Sequence, residues 1–260
     1  MKGMYAVYRK EMGHYFVSPV AYIIVAVFLV LAAYFFNQLL RVIVQQAFEA
    51  GLEDQFGGAP IDVPSAVMRN FFGVISTLLL FLTPMLTMSV YSEERRRGTM
   101  ELLMTSPVTD LGIVLGKFFA SLSLLAIMLL PTAIGFAYML HYSEPTAPWT
   151  VLGSDYLGVL LLGATLLALG SFFSSVTEST LIAAILSFGA ILLLWVLDFG
   201  GNAGSGAWGQ AVQYLSVFRH YDDFTHGVID TSNVIFYLSF IVLGIFLTVR
   251  SVDSMRWRRA

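Results

Sequence analysis

Residues 19–40 read PVAYIIVAVFLVLAAYFFNQLL, a run without Asp, Glu, Lys, Arg or His. No such residue occurs anywhere between Val17 and Leu40. An α-helix rises about 1.5 Å per residue and the hydrocarbon layer of a bilayer is about 30 Å thick, so about 20 apolar residues cross it. The stretch therefore predicts a membrane-spanning helix.

The composition of the whole chain indicates the same apolar environment. Of 260 residues, 57% are hydrophobic and 12% are charged, and the mean hydropathy is +0.77. A soluble domain has about a quarter of its residues charged, so the composition excludes an ordinary soluble globule, a disordered protein and a nucleic-acid-binding protein. The chain has no cysteine, which excludes disulfides and thiolate metal sites.

Five more uncharged stretches of similar length follow the first. The predicted spans are residues 19–40, 70–90, 118–140, 156–173, 181–197 and 233–249. The fourth and fifth are short and are joined by Ser174 to Thr180, which predicts an antiparallel hairpin partly buried by its neighbours. The sequence thus predicts an all-α polytopic membrane protein with six transmembrane helices, forming a single domain over residues 1–260.

The basic residues predict the orientation of these helices. With the N-terminus in the cytoplasm, 11 of the 14 Lys and Arg lie in inner segments and ten of the 17 Asp and Glu lie in outer segments. The positive-inside rule then places both termini in the cytoplasm. Residues 1–18 are predicted to form an amphipathic interfacial helix, or simply an anchor, because apolar side chains recur at helical spacing: Tyr5, Tyr8, Met12, Tyr15 and Phe16.

The predicted spans lack ionisable side chains. None of the six contains Asp, Glu, Lys, Arg or His, which counts against an ion-coupled carrier, a charge-selective channel and an intramembrane protease. Gly153-Ser154-Asp155 is interpreted as a loop. Pro84 and Pro131 are predicted to kink the second and third spans. The small residues of the fourth span and its end are predicted to allow close helix approach: Gly163, Gly170, Ser171, Ser174 and Ser175.

Polar chemistry concentrates in the loop after the second span, residues 91–117. Residues 92–108 read SEERRRGTMELLMTSPV. Gly98 is expected to end the helix that leaves the membrane, and Thr99 to cap a short second helix with an apolar face. A plain positive-inside anchor would explain the three arginines but not the acid pair or the exposed apolar run. We therefore interpret this loop as a docking element.

This loop, preceded by an amphipathic helix and two spans, resembles the membrane subunit of ABC-2 type transporters. Members of that family carry a Glu and basic residues followed by a Gly-Thr-x-Glu-x-Leu segment at this place. The resemblance extends over the whole chain. Within the family, the segment Tyr8-Arg9-Lys10-Glu11 and the ending from Phe218 are most similar to the gliding-motility-associated permease branch. The copper-processing permeases of nitrous oxide reductase maturation are similar as well.

The resemblance implies a coupling helix that docks into a groove of an ATP-hydrolysing subunit. The contact residues it implies are Glu93, Glu94, Arg95, Arg96, Arg97, Gly98, Thr99 and Glu101, with Glu178 in the turn 174–180 as a second, smaller contact. Residues 198–232 would form an outer re-entrant or interfacial segment. The first outer loop, residues 41–69, is longer than the minimal family pattern and acidic, and no role is assigned to it.

The sequence lacks the phosphate-binding pattern Gly-x-x-x-x-Gly-Lys-(Ser/Thr). We therefore expect a non-catalytic chain without cofactor or metal, whose partner ATPase holds ATP and Mg. Six helices are half of the family's usual pathway, so a second copy or a sister permease is expected. The other expected partners are membrane lipids and an extracytoplasmic auxiliary protein, and nucleic acid is not among them.

The predicted function is that of a permease subunit in the bacterial cytoplasmic (inner) membrane. It would couple ATP hydrolysis on the partner to export of an unidentified substrate, lipid-like or envelope-related, or to work on an extracytoplasmic partner. Two alternatives stay open at this stage. One is a non-transporting scaffold that recruits a cytoplasmic partner, and the other is an ATP-independent facilitator.

Overall fold

The described part of the chain is built from helices. The computed structural model describes residues 2–53, 62–100, 108–142, 149–200 and 216–257, and it contains no strand over these residues. The helices are α1 Lys2–Val17, α2 Pro19–Glu53, α3 Val63–Thr87, α4 Ser92–Arg96, α5 Asp110–His141, α6 Trp149–Val176, α7 Thr180–Gly200, α8 Arg219–Thr225 and α9 Thr231–Trp257. Six of them (α2, α3, α5, α6, α7 and α9) are long and apolar enough to cross a membrane. The all-α fold and the six predicted spans are confirmed.

The predicted first outer loop is mostly helical. α2 continues past Arg41 to Glu53, and α3 already begins at Val63. Asp62 caps α3 by accepting a hydrogen bond from the Ser65 amide at 3.5 Å, and a proline occupies the first turn, where its fixed φ favours helix. Helical structure therefore extends into the predicted outer segment 41–69 from both sides, because hydropathy marks where a helix leaves the membrane and not where the helix ends; residues 54–61 of that segment lie outside the described residues.

α6 lies at the centre of the bundle. It packs against α3, α5, α7, α8 and α9, and 67% of its most apolar window is buried, against 17% for α7. The predicted span 156–173 lies within α6, which is longer, with 28 residues. The predicted close approach is confirmed: a Cβ on Gly163 would lie 2.3 Å from Leu125 Cδ2, and one on Gly170 would lie 2.2 Å from Thr87 Oγ1.

Both prolines expected to kink helices lie inside them. Pro84 is in the last turn of α3 and Pro131 is in the second half of α5. A proline within a helix lacks the N–H that would continue the ladder, so the backbone is weakened there. Near Pro131, aromatic rings of α2, α3 and α5 pack against one another, with the Phe71 and Phe136 centroids 4.9 Å apart.

The two ends of the bundle differ in what covers them. At the first, which we call the loop end, α1 packs against α5, and Val252 of α9 shares an apolar cluster with Tyr91 and Val114. At the opposite end, which we call the α8 end, the Tyr221 hydroxyl donates to the Phe72 carbonyl near the start of α3 at 3.2 Å. The N-terminal helix and the end of α9 therefore lie at the same end, as an even number of spans requires.

Candidate functional site

The helix α4 ends where the sequence predicts. Gly98 has a φ of +69°, its amide donates to the Arg95 carbonyl at 3.1 Å, and the Thr99 amide donates to the Glu94 carbonyl at 3.0 Å. These two bonds with a left-handed glycine form a Schellman cap. The Thr99 hydroxyl also donates to the Glu94 carbonyl, at 3.3 Å, so it closes α4. Glu101 and the expected second helix lie outside the described residues.

A buried serine joins α4 to the end of α6. The Ser174 hydroxyl accepts from the amides of Tyr91 at 3.1 Å and Ser92 at 3.3 Å, and it donates to the Met88 carbonyl at 3.0 Å. These amides begin α4 and have no helical partner of their own. Ser174 is fully buried. From the sequence, Ser174 was predicted only to allow close helix approach and to begin the turn 174–180, so its hydrogen bonds were not predicted.

Arg95 brings together the two predicted contact regions. Its Nη1 donates to the Ser175 carbonyl at 2.7 Å, and its Nη2 lies 3.5 Å from Glu178 Oε1. The Arg95 side chain is only 19% exposed. The loop 91–117 and the turn 174–180, which are about 80 residues apart in sequence, are thus adjacent in space.

Four of the other predicted contact residues are exposed on α4 and its cap. Arg97 Nη2 lies 2.5 Å from Glu93 Oε1, one turn earlier. The residues exposed to solvent, which we call the docking face, are Arg96, Arg97, Gly98 and Thr99. The predicted motif therefore divides into an inward part, Glu94 and Arg95, and an outward part.

Behind α4 lies a set of four charged residues, Lys10, Glu11, Glu94 and Lys117, which we call the buried ion cluster. The Lys117 side chain is 2% exposed. Its Nζ donates to the Val90 carbonyl at 2.8 Å and to Glu11 Oε1 at 3.2 Å. Glu94 Oε2 lies 2.9 Å from the Lys117 Nζ. The two atoms form an ion pair, but their geometry is not that of a hydrogen bond. The cluster thus ties α1, α4 and α5 together.

Lys10 completes the cluster from its solvent side. Its Nζ lies 3.0 Å from Glu94 Oε1 and 3.4 Å from Glu11 Oε1, so two positive charges face two negative ones. Burial acts to lower the pKa of Lys10, but hydrogen bonding and attraction from Glu94, and then from Glu11, outweigh it and raise that pKa above its ordinary value. The cluster is therefore neutral as a whole.

The buried face of α1 explains how Glu11 reaches Lys117. Tyr8, Glu11 and Tyr15 are spaced by three and four residues and share one face, and the two hydroxyls lie 3.2 Å from Ser123 Oγ and 3.0 Å from Ser121 Oγ of α5. Burial raises the pKa of Tyr15 to about 12, with the bond to Ser121 acting in the opposite direction, so the hydroxyl stays neutral. From the sequence, Tyr8 and Tyr15 were predicted on an apolar interfacial face, but the contact of Glu11 with α5 was not predicted. The signal available was a Glu between two tyrosines at helical spacing.

A cleft opens beside the cluster at the loop end. Its volume is about 470 Å³. Charged side chains of both signs line it: Lys10, Glu11, His14, Glu93, Glu94, Arg97 and Lys117. It lies between α1 and α4, both of which contribute to its lining.

The segment Gly153-Ser154-Asp155 is not a loop. It lies inside α6, which begins at Trp149, and Asp155 is fully buried. The interpretation as a loop was wrong because Asp155 sits directly before the uncharged run and was counted as lying outside it. Lys117 directly precedes the third predicted span in the same way. Both buried charges therefore lie one residue outside a predicted span.

Comparison with known proteins relates the chain to a known family. The family model described as ABC-2 family transporter protein matches residues 5–252. This range contains the docking face, the buried ion cluster and the turn 174–180. No curated protein matches the chain.

Proposed function

The chain belongs to the ABC-2 family of transporter proteins and is a multi-pass membrane permease subunit, and we propose that it couples ATP hydrolysis on a separate subunit to export. The family in general implies an ATPase partner and a pairing of permeases. The proposed cargo is lipid-like or envelope-related, and the gliding-motility-associated branch adds an extracytoplasmic partner protein. The loop end then faces the cytoplasm of a bacterial cell, with both termini on that side.

The observation that carries this proposal is the division of α4 into two faces. Arg96 and Arg97 are exposed, whereas Arg95 bonds to the Ser175 carbonyl and Glu94 pairs with Lys117. A partner that binds the outward face therefore acts on an element whose inward face is fixed to the rest of the chain. In this proposal the docking face seats in the ATPase, and Glu94 and Arg95 transmit its movement.

The connections of α4 indicate which helices would move. Through Glu94 a displacement reaches α5 and α1, because Lys117 and Glu11 belong to the same ion cluster. Through Arg95 it reaches the turn between α6 and α7. The interruptions at Pro84 and Pro131 allow α3 and α5 to bend without losing their packing at the α8 end. The work is mechanical, and none of these residues acts on ATP.

The least buried helices support the pairing of two permeases. The most apolar windows of α2 and α7 are only 22% and 17% buried, so each presents most of its surface to lipid or to another protein. A second copy or a sister permease would cover part of this surface and complete a twelve-helix unit.

The experiment is affinity purification of the tagged protein from its native membrane in mild detergent, followed by mass identification of the chains that accompany it. The variants are Arg96→Ala with Arg97→Ala on the docking face, and Arg219→Ala as a matched control, since Arg219 is also exposed but lies at the α8 end. We expect an ATPase with the wild type and the control. The double variant should lose it.

A further variant separates docking from transmission. Glu94→Gln removes the charge that faces Lys117 but leaves the docking face unchanged, so the ATPase should still co-purify while its hydrolysis rate no longer responds to the permease. Absence of an ATP-binding chain from every sample would refute the coupling proposal and favour the scaffold. Uptake into ATP-free liposomes that contain only this chain would favour the facilitator.

A further inference from the structure

A buried acid in α6 has no role in the proposed coupling to an ATPase. Asp155 is 0% exposed, and neither of its carboxyl oxygens has a hydrogen-bond partner. A buried carboxylate is stable only when donors or cations replace the water it has lost. Within the described residues nothing does so here, and an ionisable residue inside a candidate membrane-spanning helix is by default a candidate functional site.

The polar groups around Asp155 are directed elsewhere. On α6 itself, the Tyr156 hydroxyl lies 2.9 Å from Thr132 Oγ1 of α5. On α8, the Tyr221 hydroxyl donates to a carbonyl of α3. On α9, the Tyr237 hydroxyl donates to the Val217 carbonyl at 2.7 Å, and on α8 the Asp223 carboxylate accepts from Asn233 of α9 at 2.6 Å. No ion pair joins Asp155 to a cation of the described residues.

The helix α8 closes the site. The Ser154 hydroxyl, beside Asp155, donates to the Phe224 carbonyl at 3.0 Å. One turn further along α6, a Cβ on Gly158 would lie only 2.7 Å from Phe224 Cβ, so α8 rests directly on the α6 backbone. The contact with α8 therefore excludes water from this part of α6.

We propose that Asp155 is a proton-binding site of this permease. The carboxylate takes up one proton and becomes a neutral carboxylic acid, and the reverse step returns that proton to water with no other bond changed. With α8 in place the acid is neutral, which removes the need for a buried counter-ion. Exchange of the proton requires α8 to leave α6. The proposal is independent of how the loop end engages an ATPase.

Infrared spectroscopy of the purified full-length protein tests this directly, because the C=O stretch of a protonated carboxylic acid is distinct from the bands of a carboxylate and moves in D₂O. We expect one such band at neutral pH in the wild type and its loss in Asp155→Asn. Asp222→Asn is the matched control, since Asp222 is an exposed acid on α8, and it should keep the band.

Two further measurements keep the test decisive. Incorporation of aspartate labelled with ¹³C at the carboxyl carbon must shift the band in the wild type, which assigns the band to an aspartate, and absence of that shift counts against the proposal whether or not Asp155→Asn folds. Gly158→Ala should speed the D₂O shift several-fold by displacing α8, whereas Gly153→Ala, whose Cβ would meet nothing within 4 Å, should not. Absence of a ¹³C-sensitive protonated band at neutral pH would overturn the proposal, and equal exchange rates would overturn the sealing by α8.

Discussion

Replacing Lys117 by Met is expected to destabilise the protein by about 3 kcal/mol. Removal of one partner from a buried ion pair costs about 3–5 kcal/mol, because the other charge is left buried and uncompensated. Here two carboxylates lose the ammonium that lies 3.2 and 2.9 Å from them. Lys10 stays within 3.4 Å of both acids and compensates them in part, so the lower end of the range applies.

The assay is reversible unfolding in mixed detergent micelles titrated with sodium dodecyl sulfate, followed by circular dichroism. Lys10→Met is the matched control, since the Lys10 side chain is 58% exposed and an exposed ion pair contributes about 0–1 kcal/mol. Adding Glu11→Gln and Glu94→Gln to Lys117→Met removes the orphaned charges. The triple variant should therefore recover most of the lost stability.

Two results would refute this reasoning. If Lys117→Met loses no more stability than Lys10→Met, water reaches the cluster and the ion pairs of Lys117 do not behave as buried ones. If the triple variant is less stable than Lys117→Met, the carboxylates stabilise the fold by contacts other than Lys117. Either result would also remove the proposed path from α4 to α1 and α5.

Three more predictions follow from the backbone and from Arg95. Gly98→Ala should destabilise the protein by about 1–2 kcal/mol, since its φ is +69° and a left-handed residue with a Cβ is strained. Gly73→Ala is the control, because Gly73 is a helical site in α3 that is sterically open. It should be neutral or stabilising in the same titration. Gly158→Ala should destabilise by about 1–3 kcal/mol through overpacking, because its Cβ would meet α8 at 2.7 Å, and Gly153→Ala should not. Arg95→Ala should broaden the distance distribution between spin labels on α4 and on the turn between α6 and α7. The absence of native cysteine makes double labelling direct, and an unchanged distribution would show that Arg95 does not hold the two regions together.

The six spans could be predicted because desolvation acts on every residue independently of the fold. An uncharged run of about 20 residues is stable in lipid whatever its neighbours are. The end of α4 could also be predicted, since the conformation of Gly98 depends on local backbone sterics. Both features are properties of short segments, and a single sequence contains all the information they need.

The partners of the buried charges could not be predicted in the same way. Glu11 and Lys117 are 106 residues apart, and the positive-inside rule counts Lys117 as a cytoplasmic charge without asking what it faces. Asp155 was likewise assigned to a loop because it precedes the uncharged run. Hydropathy locates the ends of an uncharged run of residues. The structure shows that a charged residue next to such a run can still lie inside the bundle.

The division of α4 into two faces decides how substitutions in this loop must be interpreted. A variant that changes Arg95, Arg96 and Arg97 together removes an internal tie and a docking surface at once, so a loss of ATPase binding in that variant has two explanations. Arg95→Ala alone leaves the exposed arginines available, so it should reduce transmission more than it reduces ATPase binding. Arg96→Ala with Arg97→Ala leaves the bond to Ser175 intact and should reduce binding before transmission. Opposite orders of loss in these two variants would establish that the motif contains two functions, and identical losses would mean that α4 acts only as a docking surface.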